Sequence, residues 1–322
     1  MLYCTKKEGI NLVTIELLEK LDTPREYIDQ ILVQDGIYGE TIEKSAKEYI
    51  LTGEAVALVP YDSEEARTKA HERAIQYLDR AKALSTDEKT QYMLMYLFWI
   101  HCIPYAKRFY KMLSIDDEIF YTTMKDLTYK LKECVAVHDA VGVFADWFFL
   151  QFDMKLFGTG RLQFEVYRFM CDSYCAAGVE LKKGDPVYSC HIPSSGPLTV
   201  EACMDSLDQA YALFKKELTG TVLPVVVCSW LIYPPYLGSV FPEGSNIYRF
   251  SQLFDIIVQR DTPTFSDDWR VFNRHYTGST QDLPTDTGMR RRMVDYINGG
   301  GIFGWGYGVL LYDGEKKKIL NR

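Results

Sequence analysis

Up to about residue 155 the apolar positions recur with helical spacing. "TIELLEKL", "PREYIDQILVQ" and "YGETIEKSAKEYILTG" read as short helices, broken at Thr23-Pro24 and at Gly36. "SEEARTKAHERAIQYLDRAKAL" opens with a serine and acids, the side chains that satisfy and complement a helix N-terminus. "DEKTQYMLMYLFWIHC" precedes Pro104, "YAKRFYKML" follows it, and "DDEIFYTTMKDLTYKLKECVAVH" carries acids at its start and apolar residues at helical spacing. This half predicts an all-helical unit with a thick aromatic core.

The period changes after "FLQFDMKLFGTG". In "RLQFEVYRFM", Arg161, Gln163, Glu165 and Tyr167 face one way and Leu162, Phe164, Val166 and Arg168 the other, which predicts a strand with Glu165 on its polar face. "GVELKKGDPVYSCHIP" is extended, with a turn at Lys-Gly-Asp. A helix follows with Val200, Cys203, Met204, Leu207, Tyr211, Phe214 and Leu218 on one face. "VLPVVVCSWLIY" is apolar throughout, as a buried central strand is. "SNIYRFSQLF" reads as a helix capped at Ser245 or Asn246, "DIIVQRD" as a strand, "TDTGMRRRMVDYI" as a helix and "GWGYGVLLYDG" as a last strand. Strands alternating with helices predict an α/β layer. In that last strand Gly304, Gly306 and Gly308 share one face, where a neighbouring element or a ligand can approach closely.

Length and composition narrow the classes. At 322 residues the chain exceeds one ordinary core, so two domains are expected, over 1–155 and 156–322. An aromatic share of 14% excludes a disordered chain. A net charge of −8, with no basic stripe, argues against nucleic acid as a partner. Arg290-Arg291-Arg292 and Lys316-Lys317-Lys318 read as solvated faces. "YMLMYLFWIHCIP" and "VGVFADWFFLQF" are short and interrupted by His101 and Asp146, so they read as buried helices and no membrane partner is expected. The start, "MLYCTKKEGINLV", lacks an apolar run of signal-peptide length, which points to a cytoplasmic protein with reduced cysteines. Cys171 and Cys175 have no second pair and no nearby histidine, so no metal is expected.

The loop from His191 to Leu198, "HIPSSGPL", is the main candidate for chemistry. It ends a strand and opens a helix, where unpaired N–H groups and the positive dipole end converge on an anion. Gly196 permits close backbone approach, and Ser194 and Ser195 bring hydroxyls. Pro197 removes one donor, Glu201 and Asp205 place negative charge nearby, and the loop holds no basic residue, so a rigid turn capped at Thr199 is the competing reading. His191 is either a proton carrier or a satisfied structural histidine. Cys228, before Ser229 and Trp230 at a strand end, is either a site thiol or a core thiol. No G-x-S-x-G, G-x-x-x-x-G-K-[ST] or G-x-G-x-x-G is present.

"GRLQFE" from Gly160, "HIPSSGPLTVEACMDSL" from His191, "CSWLIYPPY" from Cys228 and "SNIYRFSQLFDI" from Ser245 resemble a bacterial group of acyltransferase-domain proteins. Those join a helical N-terminal domain to a C-terminal domain like that of the N-acetyltransferase superfamily (GNAT). The resemblance implies an α+β or α/β chain, helical over 1–155 and with a GNAT-like mixed sheet over 156–322. It implies acetyl-CoA or another acyl-CoA as co-substrate, held by the loop at the place of the superfamily's [QR]-x-x-G-x-[GA]. Gly196 fits that pattern, whereas Pro193 and Leu198 depart from it.

The function this resemblance implies is acyl transfer to a small-molecule or peptide amine, possible in a homodimer. Glu165 or His191 is the candidate base, and Tyr248 or Tyr236 the candidate acid for the thiolate. Ser194, Ser195, Gly196, Leu198, Cys228, Ser229, Trp230, Ser245 and Asn246 are the candidate cofactor contacts. A non-catalytic GNAT-like binding or regulatory protein is the first alternative, and a hydrolase using Ser195 or Cys228 the second.

Overall fold

Helices occupy the chain as far as Phe152 and strands begin at Leu156 in a computed structural model, which describes residues 13–53 and 57–322. Most of the amino-terminal stretch read for a signal peptide, residues 1–12, lies outside the described residues. The helical half contains α1 (Ile15–Lys20), α2 (Arg25–Leu51), α3 (Glu64–Lys82), α4 (Glu88–Met112), α5 (Asp117–Met124), α6 (Asp126–His138) and α7 (Phe149–Phe152). Thr14, Ser63 and Asp87 accept hydrogen bonds from the amides of Leu17, Ala66 and Thr90, so α1, α3 and α4 start where the polar caps stand.

Two expected breaks are absent. Helix α2 runs through Gly36, and α4 runs through Pro104. A mid-helix glycine costs about 1 kcal/mol and a proline about 3 kcal/mol. Both costs are local, whereas the buried stripe of Ile28, Ile31, Ile42, Ala46 and Tyr49 on α2, and every residue from Met93 to Ile103 on α4, hold these helices by packing. The segment expected as one helix after Asp116 is instead two, α5 and α6, turning at Lys125. Trp99 anchors this core, stacked on Phe152 at 5.1 Å and edge-on to Tyr49 and Phe98.

The second half holds β1 (Leu156–Thr159), β2 (Leu162–Arg168), a separate hairpin of β3 (Ser173–Ala176) and β4 (Val179–Lys182), and β5 (Pro186–His191). Then follow α8 (Val200–Phe214), β6 (Val222–Ser229), α9 (Asn246–Ser251), β7 (Asp255–Thr262), α10 (Asp268–Phe272), α11 (Gly288–Asn298), β8 (Phe303–Asp313) and β9 (Lys318–Ile319). The main sheet has the order β1-β2-β5-β6-β8-β7, with β9 beside β8. Its pairs are antiparallel except β5 and β6, which run parallel and are partnered only at Tyr188–Val225 and Ser189–Val226. Beyond those pairs the two strands part.

The polar face of β2 is not solvated. Gln163 and Glu165 are as buried as Leu162 and Phe164, because the helical half covers that face of the sheet. One apolar cluster runs from α2 and α4 through β1, β2 and α8 to Tyr312, joining both halves. The bare face of β8 is a packing surface. A Cβ on Gly306 would stand 2.6 Å from the Ile232 carbonyl oxygen, and one on Gly308 would meet Phe254. The arginine run on α11 is only partly solvated: Arg290 donates to the Val271 carbonyl and Arg292 to the Val240 carbonyl, pinning the helix, while Lys316, Lys317 and Lys318 are exposed. Among the described residues no helix is long and apolar enough to cross a membrane.

Candidate active site

Where β5 and β6 part, a cleft of about 660 Å³ opens between the sheet and the helical half. The alternation of β2 sets its floor, because Arg161, Gln163 and Glu165 lie on one face of the strand. His191 is the cross-strand partner of Gln163, so its imidazole joins the same face. The cleft wall takes Arg67 from α3, Asp126 and Lys130 from α6, and Trp147 just before α7.

Glu165 stands between two donors. It accepts from His191 Nε2 at 2.9 Å through Oε2, and from Arg67 Nε at 3.1 Å through Oε1. Its side chain is only 2% exposed. Burial pushes the Glu165 carboxyl up, but the bond and charge of His191, and then those of Arg67, outweigh it and hold the group below the ordinary carboxylate range. An ionised carboxylate only accepts, so Nε2 of His191 donates to it, and in the neutral imidazole Nδ1 is the nitrogen with the lone pair. Among the described residues Nδ1 has no hydrogen-bond partner. The imidazole is 40% exposed, open to the cleft that it lines.

The loop after β5 is held from the side. Arg161, in the turn before β2, donates from Nη1 to the Pro193 carbonyl at 2.8 Å and from Nε to the Pro197 carbonyl at 3.1 Å, and Nη1 also reaches Ser195 Oγ at 3.3 Å. Two loop carbonyls are thereby consumed. The amides of Ser194, Ser195 and Gly196 donate to no described residue. Gly196 has φ +119° and open space where a Cβ would stand, so glycine is required by the backbone and leaves room. Thr199 caps α8 by accepting from the Ala202 amide at 3.2 Å.

The loop therefore acquires a basic residue that its own sequence lacks. Arg161 makes no ion pair with a described carboxylate, whereas the other cleft cations are spoken for. Arg67 sits on Glu165, Lys130 on Glu133, and Arg270 on Asp267 and Glu133. The signal for Arg161 lay in the alternation that put it in line with Gln163 and Glu165, but its reach to the loop depends on β2 pairing with β5.

The other expected site residues divide. Ser194, Cys228, Ser229 and Trp230 line the cleft with His191, and Ser195 is held by Arg161. Ser194 Oγ donates to Glu133 Oε1. Leu198 is buried in the apolar cluster. Ser245 and Asn246 cap and open α9, whose Ile247 lines the cleft while they do not. Tyr248 packs against a separate cluster that contains the fully buried Tyr236, and neither lines the cleft. Cys228 is exposed at the cleft rather than a core thiol; desolvation by its neighbours, with Asp267 nearby, still pushes its thiol up to about 11, so it is no thiolate at neutral pH. Ser195 faces a guanidinium, which cannot take its proton.

Two family models match the chain in succession: an N-acyltransferase N-terminal domain over 14–154 and a GNAT-like C-terminal domain over 156–310. The chain belongs to the acyltransferase-domain proteins that join these two units. Among solved structures, its GNAT-like fold is similar to that of an acyltransferase in complex with decanoyl-CoA and teicoplanin, at 18% identity over 91% of this chain and 86% of that one, with a TM-score of 0.64. A mutant acyltransferase in complex with octanoyl-CoA matches at 18% identity over the same shares, with a TM-score of 0.63. No curated protein matches the sequence. In the GNAT-like domain the loop that departs from the superfamily pattern at Pro193 and Leu198 is the one that Arg161 braces.

Proposed function

We propose that the protein is an acyl-CoA-dependent N-acyltransferase centred on the His191–Glu165 pair. The observation that carries this reading is an imidazole with a free Nδ1, oriented by a buried ionised carboxylate, at the point where β5 and β6 part beside a loop of unclaimed amides. The acyltransferases of similar fold in complexes with octanoyl-CoA and decanoyl-CoA support an acyl-CoA as the donor.

The loop amides of Ser194, Ser195 and Gly196 donate to the CoA pyrophosphate, and Arg161 supplies the charge. The donor's thioester arm lies in the gap between β5 and β6, past Cys228, Ser229 and Trp230. His191 Nδ1 accepts a proton from the amine as its nitrogen bonds to the thioester carbonyl carbon. The carbon–sulfur bond then breaks, CoA leaves as the thiolate, and the thiolate takes up a proton. Glu165 holds the imidazole in its tautomer and balances the imidazolium that forms. A thiol, with an ordinary pKa of about 8.5, is a good leaving group, so the step needs no dedicated tyrosine acid. Tyr236 and Tyr248 therefore have no part in it.

The apolar wall of Trp147, Leu150, Leu156, Ile192, Leu231 and Ile247 suits an alkyl chain longer than acetyl. A non-catalytic binding protein has no use for a buried carboxylate that aims an imidazole into the cleft. The hydrolase reading finds no activated nucleophile at Ser195 or Cys228.

The test is calorimetric binding of octanoyl-CoA, followed by CoA thiol release and amide mass with a panel of primary amines. Amine-dependent thiol release that disappears in His191→Ala is expected. Wild type that binds no octanoyl-CoA at millimolar ligand would overturn the reading.

A further inference from the structure

The charges of the cleft do not balance locally. At the loop end, Arg161 has no carboxylate partner among the described residues. At the helical end stands the reverse case. Asp126, the first residue of α6, lines the cleft, is 2% exposed and forms no ion pair with a described residue. Its Oδ2 accepts from Gln151 Nε2 at 3.1 Å and the Trp147 indole N–H lies close to the carboxyl, while among the described residues no donor stands within hydrogen-bond distance of Oδ1. Gln163, on the sheet floor beside His191, has a buried Nε2 that is also without a partner among the described residues. Buried polar atoms are rarely left unpaired, and where they line a cleft a ligand is the natural partner. The carboxylate belongs to a wall whose cations are already paired: Lys130 lies on both oxygens of Glu133 and over the Trp147 ring, and Arg270 lies on Asp267.

We propose that Asp126, with Gln163, forms the acceptor subsite, and that the acceptor is a primary ammonium compound with no carboxylate beside its amine. This rests on the transferase reading given above and deepens it. The anionic donor enters at Arg161 and the cationic acceptor at Asp126; the ammonium gives up one proton to water, which frees its lone pair, and His191, between the two ends, takes the second as the nitrogen bonds to the thioester carbonyl carbon. Asp126 Oδ1 accepts from the ammonium, and so does Gln163 once its amide is turned over to put Oε1 where the unpartnered Nε2 stands. An acceptor with a carboxylate close to its amine would bring negative charge to Asp126 and Glu133, where no unpaired cation is left to receive it. Amino acids are therefore disfavoured against diamines and amino sugars.

Cadaverine serves as the diamine probe, and pentylamine and norleucine, which differ only by the carboxylate beside the amine, test the exclusion of amino acids. Calorimetry on the full chain, in the presence of free CoA, is expected to show cadaverine and pentylamine binding at least tenfold tighter than norleucine, and equal binding of pentylamine and norleucine would overturn the exclusion. Asp126→Asn is expected to weaken cadaverine at least tenfold and leave octanoyl-CoA affinity unchanged. Gln163→Met gives a second, smaller loss, and stands in should Asp126→Asn not fold. Wild type that does not bind cadaverine at millimolar ligand would overturn the proposal. So would variants that bind it as wild type does. Octanoyl-CoA binding by wild type is measured separately, so loss of the donor reading and loss of the acceptor subsite give different results.

Discussion

Arg67, on α3 of the helical half, donates from Nε to Glu165 Oε1 at 3.1 Å, while the other oxygen of that carboxylate holds His191 at 2.9 Å. A side chain of the N-terminal half therefore sets the charge and position of a pair built on the sheet. Arg67 does not touch the reacting atoms in this arrangement, so it acts as a positioning residue. Arg67→Met is expected to lower kcat on the order of tenfold with little change in KM for octanoyl-CoA, and Arg67→Lys to recover part of it. A matched loss in kcat and in octanoyl-CoA affinity would mean that Arg67 only supports the fold.

The same dependence applies to the chain as a whole. Residues 156–322 alone would expose the apolar surface that β1 and α8 share with the helical half, and would lose Arg67. Poor solubility and no acyl transfer are expected on expression of that fragment. A monomeric, active fragment would show that the helical half is dispensable.

His191→Ala is expected to lower kcat by about 10²–10⁴-fold, the usual contribution of a positioned base. Glu165→Gln should lower it by on the order of 10–100-fold by loosening the tautomer. The Glu165 carboxyl is held below its ordinary value by His191 and Arg67 against the effect of burial. A depressed carboxylate stabilises the fold fully above the unfolded value of about 4.3 and loses that contribution as pH falls through the lower folded value. The melting-temperature gap between wild type and Glu165→Gln should therefore be widest at neutral pH and narrow below about pH 4. A gap that stays constant across that range would contradict the ionised pair.

Much of this was legible in the sequence, for identifiable reasons. The switch from helical to alternating period at Arg161, the caps at Thr14 and Ser63, and the loop at His191 are local patterns with local causes. Gly36 and Pro104 misled because local propensity was overruled by burial contributed by distant residues. Arg161 and Arg67 could not be assigned to the site from spacing. One reaches the loop across 32 positions to Pro193, and the other reaches Glu165 across 98. Gln163 and Glu165 alternate as an exposed strand face would, and only the docking of the helical half turns that face into the floor of a cleft.

Arg161 offers a sharper test of the donor end. If it carries the charge for the CoA phosphates, Arg161→Ala should weaken octanoyl-CoA about tenfold, in line with the loss of one charge-assisted contact. The same change should leave octanoyl-pantetheine, which lacks the nucleotide, nearly unaffected. Equal losses for both ligands would mean that Arg161 only braces the loop.

The apolar wall predicts a dependence on acyl length. Each buried methylene contributes about 0.8 kcal/mol, or about fourfold in kcat/KM while the wall lasts. Octanoyl-CoA is therefore expected to exceed acetyl-CoA by at least about a hundredfold. A flat series from acetyl to octanoyl would remove the alkyl chain from the Trp147 and Ile192 side of the cleft.

Asp126 yields a prediction about stability that separates a ligand-binding role from a structural one. Burial pushes its carboxyl above the ordinary value; Lys130, Trp147 and His191 pull it down and Glu133 pushes it up, and the net effect is a rise. Where a folded carboxyl is raised, the native state keeps a proton that the unfolded chain has already released. Stability then falls as pH rises from the unfolded value, about 3.9, through the folded one, and the deficit persists at neutral pH. The neutral amide of the Asp126→Asn variant would carry no such deficit. Asp126→Asn should melt higher than wild type at pH 7, and the two should converge near pH 4. A residue that costs stability and is needed for amine binding has the signature of a site built for a ligand. An Asp126→Asn protein that melts lower than wild type by the same margin at pH 7 and pH 4 would instead make the carboxylate a structural partner of Gln151.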